Sequence, residues 1–202
     1  FLQGIRLKAV AGVTLYPDDL GVANPTRLIA LSRHACDEAL SEGREYVFYN
    51  EQRHRETRER IEFIRDLIIA VREDRCRDFF LMYQPKVEAS GRIVGMEALV
   101  RWNHNRWNGT CGFVPPDRFI SLAEEIGLIG EIGQFVLEEA CRQAVQWQRE
   151  NDSLTDLQLA VNVSPSQLTD DFVNEVNRIL EKTGLSPRLL ERRPVEWCGS
   201  VR

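Results

Sequence analysis

Glu97, Asn162 and Arg101 are the side chains in this sequence best suited to chemistry. Glu97 lies inside a β-rich run that reads as the second strand of a hairpin, and Asn162 lies near the end of a later strand run. A carboxylate and an amide oxygen are donors that Mg2+ or Mn2+ accepts. Arg101, four residues after Glu97, carries a planar guanidinium fork that can hold a phosphate. Open α/β sheets and barrels set their working groups at the C-terminal ends of strands. An asparagine after a strand is also a common local cap, and spacing alone does not separate the two readings.

Other chemistry-bearing residues read as structural. Gly127, Gly130 and Gly133 are spaced by three but lack the preceding strand of a dinucleotide loop. His34, His54 and His104 sit far apart in sequence and read as surface or loop residues. Trp102, Trp107, Trp147 and Trp197 read as core, loop or tail aromatics, and Glu124-Glu125 as a solvated helix face. The five cysteines, Cys36, Cys76, Cys111, Cys141 and Cys198, form no CxxC or CxxH pair, which gives zinc no support. An odd number of widely spaced thiols suits a reducing cytoplasm.

The elements that must position these groups follow from periodicity. Residues 10–16 read as a strand stopped by Pro17-Asp18-Asp19, and Asn24-Pro25-Thr26 opens a helix with Leu28, Leu31, Ala35 and Ala39 on one face. Gly43 closes that helix and residues 46–49 form a short strand. A run dense in charge from Asn50 carries an apolar stripe at Ile61, Ile64, Ile68 and Val71, the pattern of a solvated linking helix. Residues 79–87 and 92–101 flank Ala89-Ser90-Gly91 as a hairpin. Pro115-Pro116 precedes a helix through Phe119, Leu122 and Ile126, and a longer one spans 128–149 with Ile132, Val136, Ala140, Ala144 and Trp147 on one face. Residues 157–163 are a strand, and 170–183 a helix capped by Gly184. The rhythm is that of an α/β domain.

Composition narrows the classes. With 202 residues, 43% hydrophobic and 28% charged, the chain can bury a core. A net charge of −5 argues against binding a nucleic-acid polymer. No apolar run reaches the roughly 18 residues of a membrane span.

The run Tyr83-Gln84-Pro85-Lys86-Val87, followed by Gly95-Met96-Glu97-Ala98-Leu99-Val100-Arg101-Trp102-Asn103-His104, resembles the opening of an EAL domain. The likeness continues through residues 115–129, Ile132-Gly133, Cys141-Arg142-Gln143, Trp147-Gln148 and Ala160-Val161-Asn162-Val163-Ser164, over roughly residues 60 to 190. EAL domains are cyclic di-GMP phosphodiesterases that cleave one phosphodiester to a linear dinucleotide, with two divalent metals activating water. The resemblance therefore implies Glu97 (catalytic) and Asn162 as ligands of Mg2+ or Mn2+. It implies Arg101 as a substrate-phosphate contact, Gln84 and Leu99 as lining of the nucleotide site, and cyclic di-GMP as the partner. Upstream, residues 12–19 with Gly43-Arg44 and residues 46–49 resemble the tail of a GGDEF domain whose signature is absent.

The sequence also departs from the family. A Glu-Leu/Ile-Thr-Glu segment follows the Pro-x-x-Leu element in EAL domains and supplies another metal-binding Glu. Here Pro187-Arg188-Leu189-Leu190-Glu191 matches and residues 192–202 do not, in the manner of a frameshift or truncation. The expected organisation is a GGDEF-like remnant over 1–50, a charged linker helix over 51–77, the N-terminal half of an EAL domain over 78–191 and a non-matching tail over 192–202. The expected fold is α/β, the first half of a TIM-like (βα)8 barrel, a fold that typically needs about 250 residues. A cytoplasmic cyclic di-GMP signalling protein without turnover of its own follows. A non-catalytic module binding the nucleotide or a partner protein, and a non-functional gene fragment, stand as alternatives. The open sheet edge of a half-barrel implies self-association, as a homodimer or larger species.

Overall fold

A computed structural model describes residues 9–15, 25–108 and 112–194. Tyr16, the turn at 17–19, Asn24, Cys111, Trp197 and Cys198 lie outside the described residues. The chain divides into two compact units, residues 1–62 and 63–202.

In the first unit, β1 (Ala11–Val13) and β2 (Tyr46–Phe48) pair in parallel, joined by α1 (Pro25–Ser41). Leu31, Ala35 and Ala39 of α1 are buried as the helical period requires, while Leu28 is half-buried. Close packing of β1 on α1 needs a residue without a side chain: a Cβ on Gly12 would lie 1.9 Å from the Ser32 carbonyl oxygen. Ala35, Ala39 and Val47 form this unit's small core.

The charged run forms α2 (Glu51–Ile68), extended by a π-helical turn over Ile69–Glu73. The expected stripe holds at Val71, which is buried, and in part at Ile64 and Ile68, which pack against the core, but not at Ile61. Ile61 is exposed and Ile64 and Ile68 are half-buried, whereas Phe63, Leu67, Ala70 and Val71 enter the core of the second unit. Phe63 and Leu67 are the buried side chains of α2, and the π turn adds Ala70 and Val71. The second half of the charged segment is thereby part of the second unit's core.

That unit is built on a four-stranded sheet in the order β3-β4-β5-β6. β3 (Phe79–Val87) and β4 (Ile93–Trp102) form the antiparallel hairpin, and β5 (Gln158–Val163) and β6 (Leu190–Pro194) add in parallel. Parallel neighbours need crossover connections. These are α3 (Pro116–Glu125) and α4 (Ile129–Glu150) between β4 and β5, and α5 (Phe172–Thr183), closed by Gly184, between β5 and β6. One sheet face is apolar: Ala98, Val100, Trp102, Leu159, Val161 and Val163 are all buried in one cluster with Phe119, Ile120, Ile132, Val136, Ala140 and Ile179. Phe79 stacks on Trp102 with ring centroids 5.6 Å apart. Trp147 stays half-buried, its ring 4.7 Å from that of Tyr83. β6 carries the chain past Glu191 into Arg192, Arg193 and Pro194, so the first residues beyond the family match are sheet residues.

Candidate functional site

Side chains alternate across a strand, so burying Ala98, Val100 and Trp102 turns Glu97, Leu99 and Arg101 to the other face of β4. Directly paired residues share a face. Gln84 is opposite Glu97, Met82 opposite Leu99 and Phe80 opposite Arg101. Glu97 also pairs with Ala160 of β5, Ala160 with Glu191 of β6, and Asn162 with Arg193. All five residues singled out by sequence therefore share the face away from the helices: Gln84, Glu97, Leu99, Arg101 and Asn162. Four residues of strand separate Glu97 from Arg101 by roughly 13 Å, so they serve different parts of any common ligand.

The polar contacts on this face form a chain. Asn162 Nδ2 donates to Glu97 Oε1 at 2.9 Å, and the Arg193 Nη1 lies 3.5 Å from Glu97 Oε2. Arg193 Nε donates to Glu191 Oε1 at 3.0 Å, and Lys86 Nζ donates to Glu191 Oε2 at 2.5 Å. Hydrogen bonds from Lys86 and then Arg193 hold the Glu191 carboxyl below its ordinary pKa. The same Glu191 contact, with Glu97 adding a smaller attraction, raises that of Arg193. Further along, Arg101 donates from Nη1 to the Val100 carbonyl at 2.8 Å and stands 5.2 Å from the centre of the Phe113 ring.

EAL phosphodiesterases depend on a divalent metal, generally Mg2+ or Mn2+. The donor set here does not fit such an ion. Both Glu97 oxygens are already engaged, Oε1 by Asn162 and Oε2 by the Arg193 guanidinium. Among the described residues no three His, Cys, Asp or Glu side chains gather as a metal site.

Behind Asn162 lies a network that sequence reasoning missed. Ser164, 1% exposed, donates from Oγ to Glu124 Oε1 at 2.6 Å, so the half-buried Glu124 accepts an internal hydrogen bond while Glu125 stays on the expected exposed face. Gln167 Oε1 accepts from the Ser164 backbone N–H at 3.0 Å, and its side chain lies on Gly133, where a Cβ would meet Nε2 at 1.7 Å. Gly133 is thus a close-approach glycine in α4. Ser164-Pro165 followed by Gln167 is a capping-box pattern, the one signal that pointed to this network.

His34 is exposed and His104 lies in a loop, as expected, but two of the histidines meet. His34 and His54, twenty residues apart, come within 4.6 Å ring to ring in the first unit. Burial, then His34, pushes the pKa of His54 down. His104 Nε2 lies 3.7 Å from Asp66, which also accepts from Trp107 Nε1 at 2.8 Å. Cys36, Cys76 and Cys141 are free thiols; burial pushes Cys76 up to about 11 and Cys141 up to about 12. No described helix is long and apolar enough to cross a membrane.

Comparison with known proteins identifies the class. Residues 65–191 match the model of the EAL domain, and the chain belongs to that family. It is 35% identical over 188 residues to the bifunctional diguanylate cyclase/cyclic di-GMP phosphodiesterase MucR of Pseudomonas aeruginosa, a match covering 91% of this chain and 26% of MucR. It is 32% identical over 205 residues to a cyclic di-GMP phosphodiesterase of the same organism, covering 98% and 32% respectively. The chain thus spans 26% to 32% of the length of these relatives. A solved structure of the MucR phosphodiesterase in complex with c-di-GMP superposes with a TM-score of 0.58 at 38% identity, over 65% of this chain and 50% of that one.

Proposed function

We propose that this chain is a cyclic di-GMP-recognising EAL module that does not hydrolyse the nucleotide by itself. The observation that carries the reading is the convergence of Gln84, Glu97, Leu99, Arg101 and Asn162 on one sheet face, in a chain similar to a phosphodiesterase solved with c-di-GMP. In this reading the Arg101 guanidinium contacts a phosphate, while Gln84 and Leu99 line the nucleotide. Glu97 (catalytic in the family's reaction) and Asn162 stand at the positions that the resemblance gives to ligands of Mg2+ or Mn2+, but here they are engaged with each other and with Arg193. Two such groups, one already beside Arg193, do not make a two-metal centre, which favours binding over turnover. The matches extend over 91% of the chain, and MucR is named as bifunctional; both support reading the parallel β1-α1-β2 unit as the tail of a GGDEF-like domain.

Calorimetric titration with cyclic di-GMP tests the assignment. Arg101→Ala should weaken binding by roughly 1.5–3 kcal/mol, the scale of a charge-assisted hydrogen bond. Unchanged affinity removes the phosphate role. Linear dinucleotide product that disappears in Glu97→Ala would overturn the non-hydrolytic reading. A second copy of the chain is the protein partner favoured by the outer strand β3, where Phe80 and Met82 are exposed. Light scattering should then give a mass above that of one chain, and a clean monomer would reject it.

A further inference from the structure

We propose that Arg193 is a resident counter-cation for Glu97 that keeps divalent metal off this face, so that the site takes its anionic ligand without a metal ion. The proposal rests on the reading of this face as a cyclic di-GMP site, but its direct test does not involve the nucleotide.

The geometry comes first. β4 and β6 are separated by β5, two strand spacings or roughly 9.6 Å, a gap that only a long side chain bridges. Residue 160, directly between Glu97 and Glu191, is alanine and leaves that passage open. Arg193 crosses it to within 3.5 Å of Glu97 Oε2 while its Nε is anchored on Glu191 at 3.0 Å. Lys86 fixes the other Glu191 oxygen at 2.5 Å, so the arginine is held at its root as well as its tip. Arginine suits this task because its guanidinium stays charged and is weakly hydrated, and so gives up water to an ion pair readily.

Charge counting gives the consequence. Glu97 and Glu191 are matched by Lys86 and Arg193, leaving the cluster neutral before any ion arrives. A divalent ion on Glu97 would sit within a few ångströms of the guanidinium and leave the cluster with an excess of two positive charges. That excess charge opposes entry. Arginine is also a natural partner for a phosphodiester anion, so its cationic group can help hold the ligand.

Binding of Mn2+ alone to the full chain, followed by the loss of the free-ion paramagnetic resonance signal, tests the proposal. The unaltered chain should bind no Mn2+ below 1 mM on the order of ordinary weak sites. Arg193→Gln should gain at least about tenfold in affinity, the scale of one like charge removed. Adding Glu97→Gln to that variant should abolish the gain. Lys86→Met, which removes a cation from Glu191 and leaves Arg193 beside Glu97, should bring a clearly smaller gain than Arg193→Gln, and an equal or larger gain would overturn the role given to Arg193. Glu97-dependent Mn2+ binding by the unaltered chain, or no gain in a folded Arg193→Gln, overturns the proposal. If circular dichroism shows Arg193→Gln unfolded, the unaltered chain decides: Glu97-dependent binding refutes and its absence supports. Mn2+ results as expected alongside no uptake of cyclic di-GMP would instead reject the ligand reading and leave the role of Arg193 intact.

Discussion

Removing the Ser164 hydroxyl tests whether the end of β5 is held from behind. Ser164 is 1% exposed, and its Oγ donates to the Glu124 carboxylate at 2.6 Å while accepting from the Ser166 N–H at 3.3 Å. Alanine at this position deletes a charge-assisted bond, worth about 1.5–3 kcal/mol. Glu124 is only half-buried, so water recovers part of its loss and the lower half of that range is expected. With a urea m-value of about 2 kcal/mol/M, the unfolding midpoint should fall by about 1 M. A double-mutant cycle with Glu124→Ala isolates the pair, whose coupling should reach about 1 kcal/mol or more. A midpoint shift below about 0.2 M, or additive single effects, would show that the network is incidental to the fold.

Gly12→Ala should unfold the first unit selectively, since its Cβ would stand 1.9 Å from a backbone oxygen that no side-chain rotation can move. A cost at or above the upper end of the roughly 1–3 kcal/mol of overpacking is expected, read as lost amide-exchange protection over residues 25–48. Burial and His34 depress the pKa of His54 in the folded state, so the unfolded chain binds the proton more readily. The stability of that unit should be fully present above pH 6.5 and decline as the pH falls below it; His54→Asn should flatten the decline in thermal melts from pH 7.5 to 5. Cys76 and Cys141, pushed up to about 11 and about 12, should resist iodoacetamide at pH 8 until the chain is unfolded, as read by mass spectrometry. Rapid labelling of either in the native state would contradict its burial.

The hairpin, the two long helices and the β5 strand were legible because apolar period and turn residues act within a few positions of one another. The five candidate residues were singled out through resemblance to a motif, and strand alternation together with pairing across β3, β4 and β5 accounts for their shared face. What sequence did not reveal depends on partners brought together only by the fold. Glu124 looks solvated until Ser164, forty residues away, is set against it. His34 and His54 look unrelated until α1 and the first half of α2 pack together. The stripe along the charged segment was legible at Ile64, Ile68 and Val71, but Phe63 and Leu67, each one position before an expected residue, take the buried places on α2, and Ile61 stays exposed. Lys86, Glu191 and Arg193 carried no signal as a group, since their chain of contacts exists only once β6 lies beside β5.

Hydrogen exchange of the full chain with and without cyclic di-GMP tests the central claim most directly. Recognition by this sheet face predicts added protection in peptides covering residues 79–102 and 158–194, absent in Arg101→Ala and unchanged when EDTA removes divalent ions. Protection confined to residues 25–48, or none at a saturating nucleotide concentration, would contradict it.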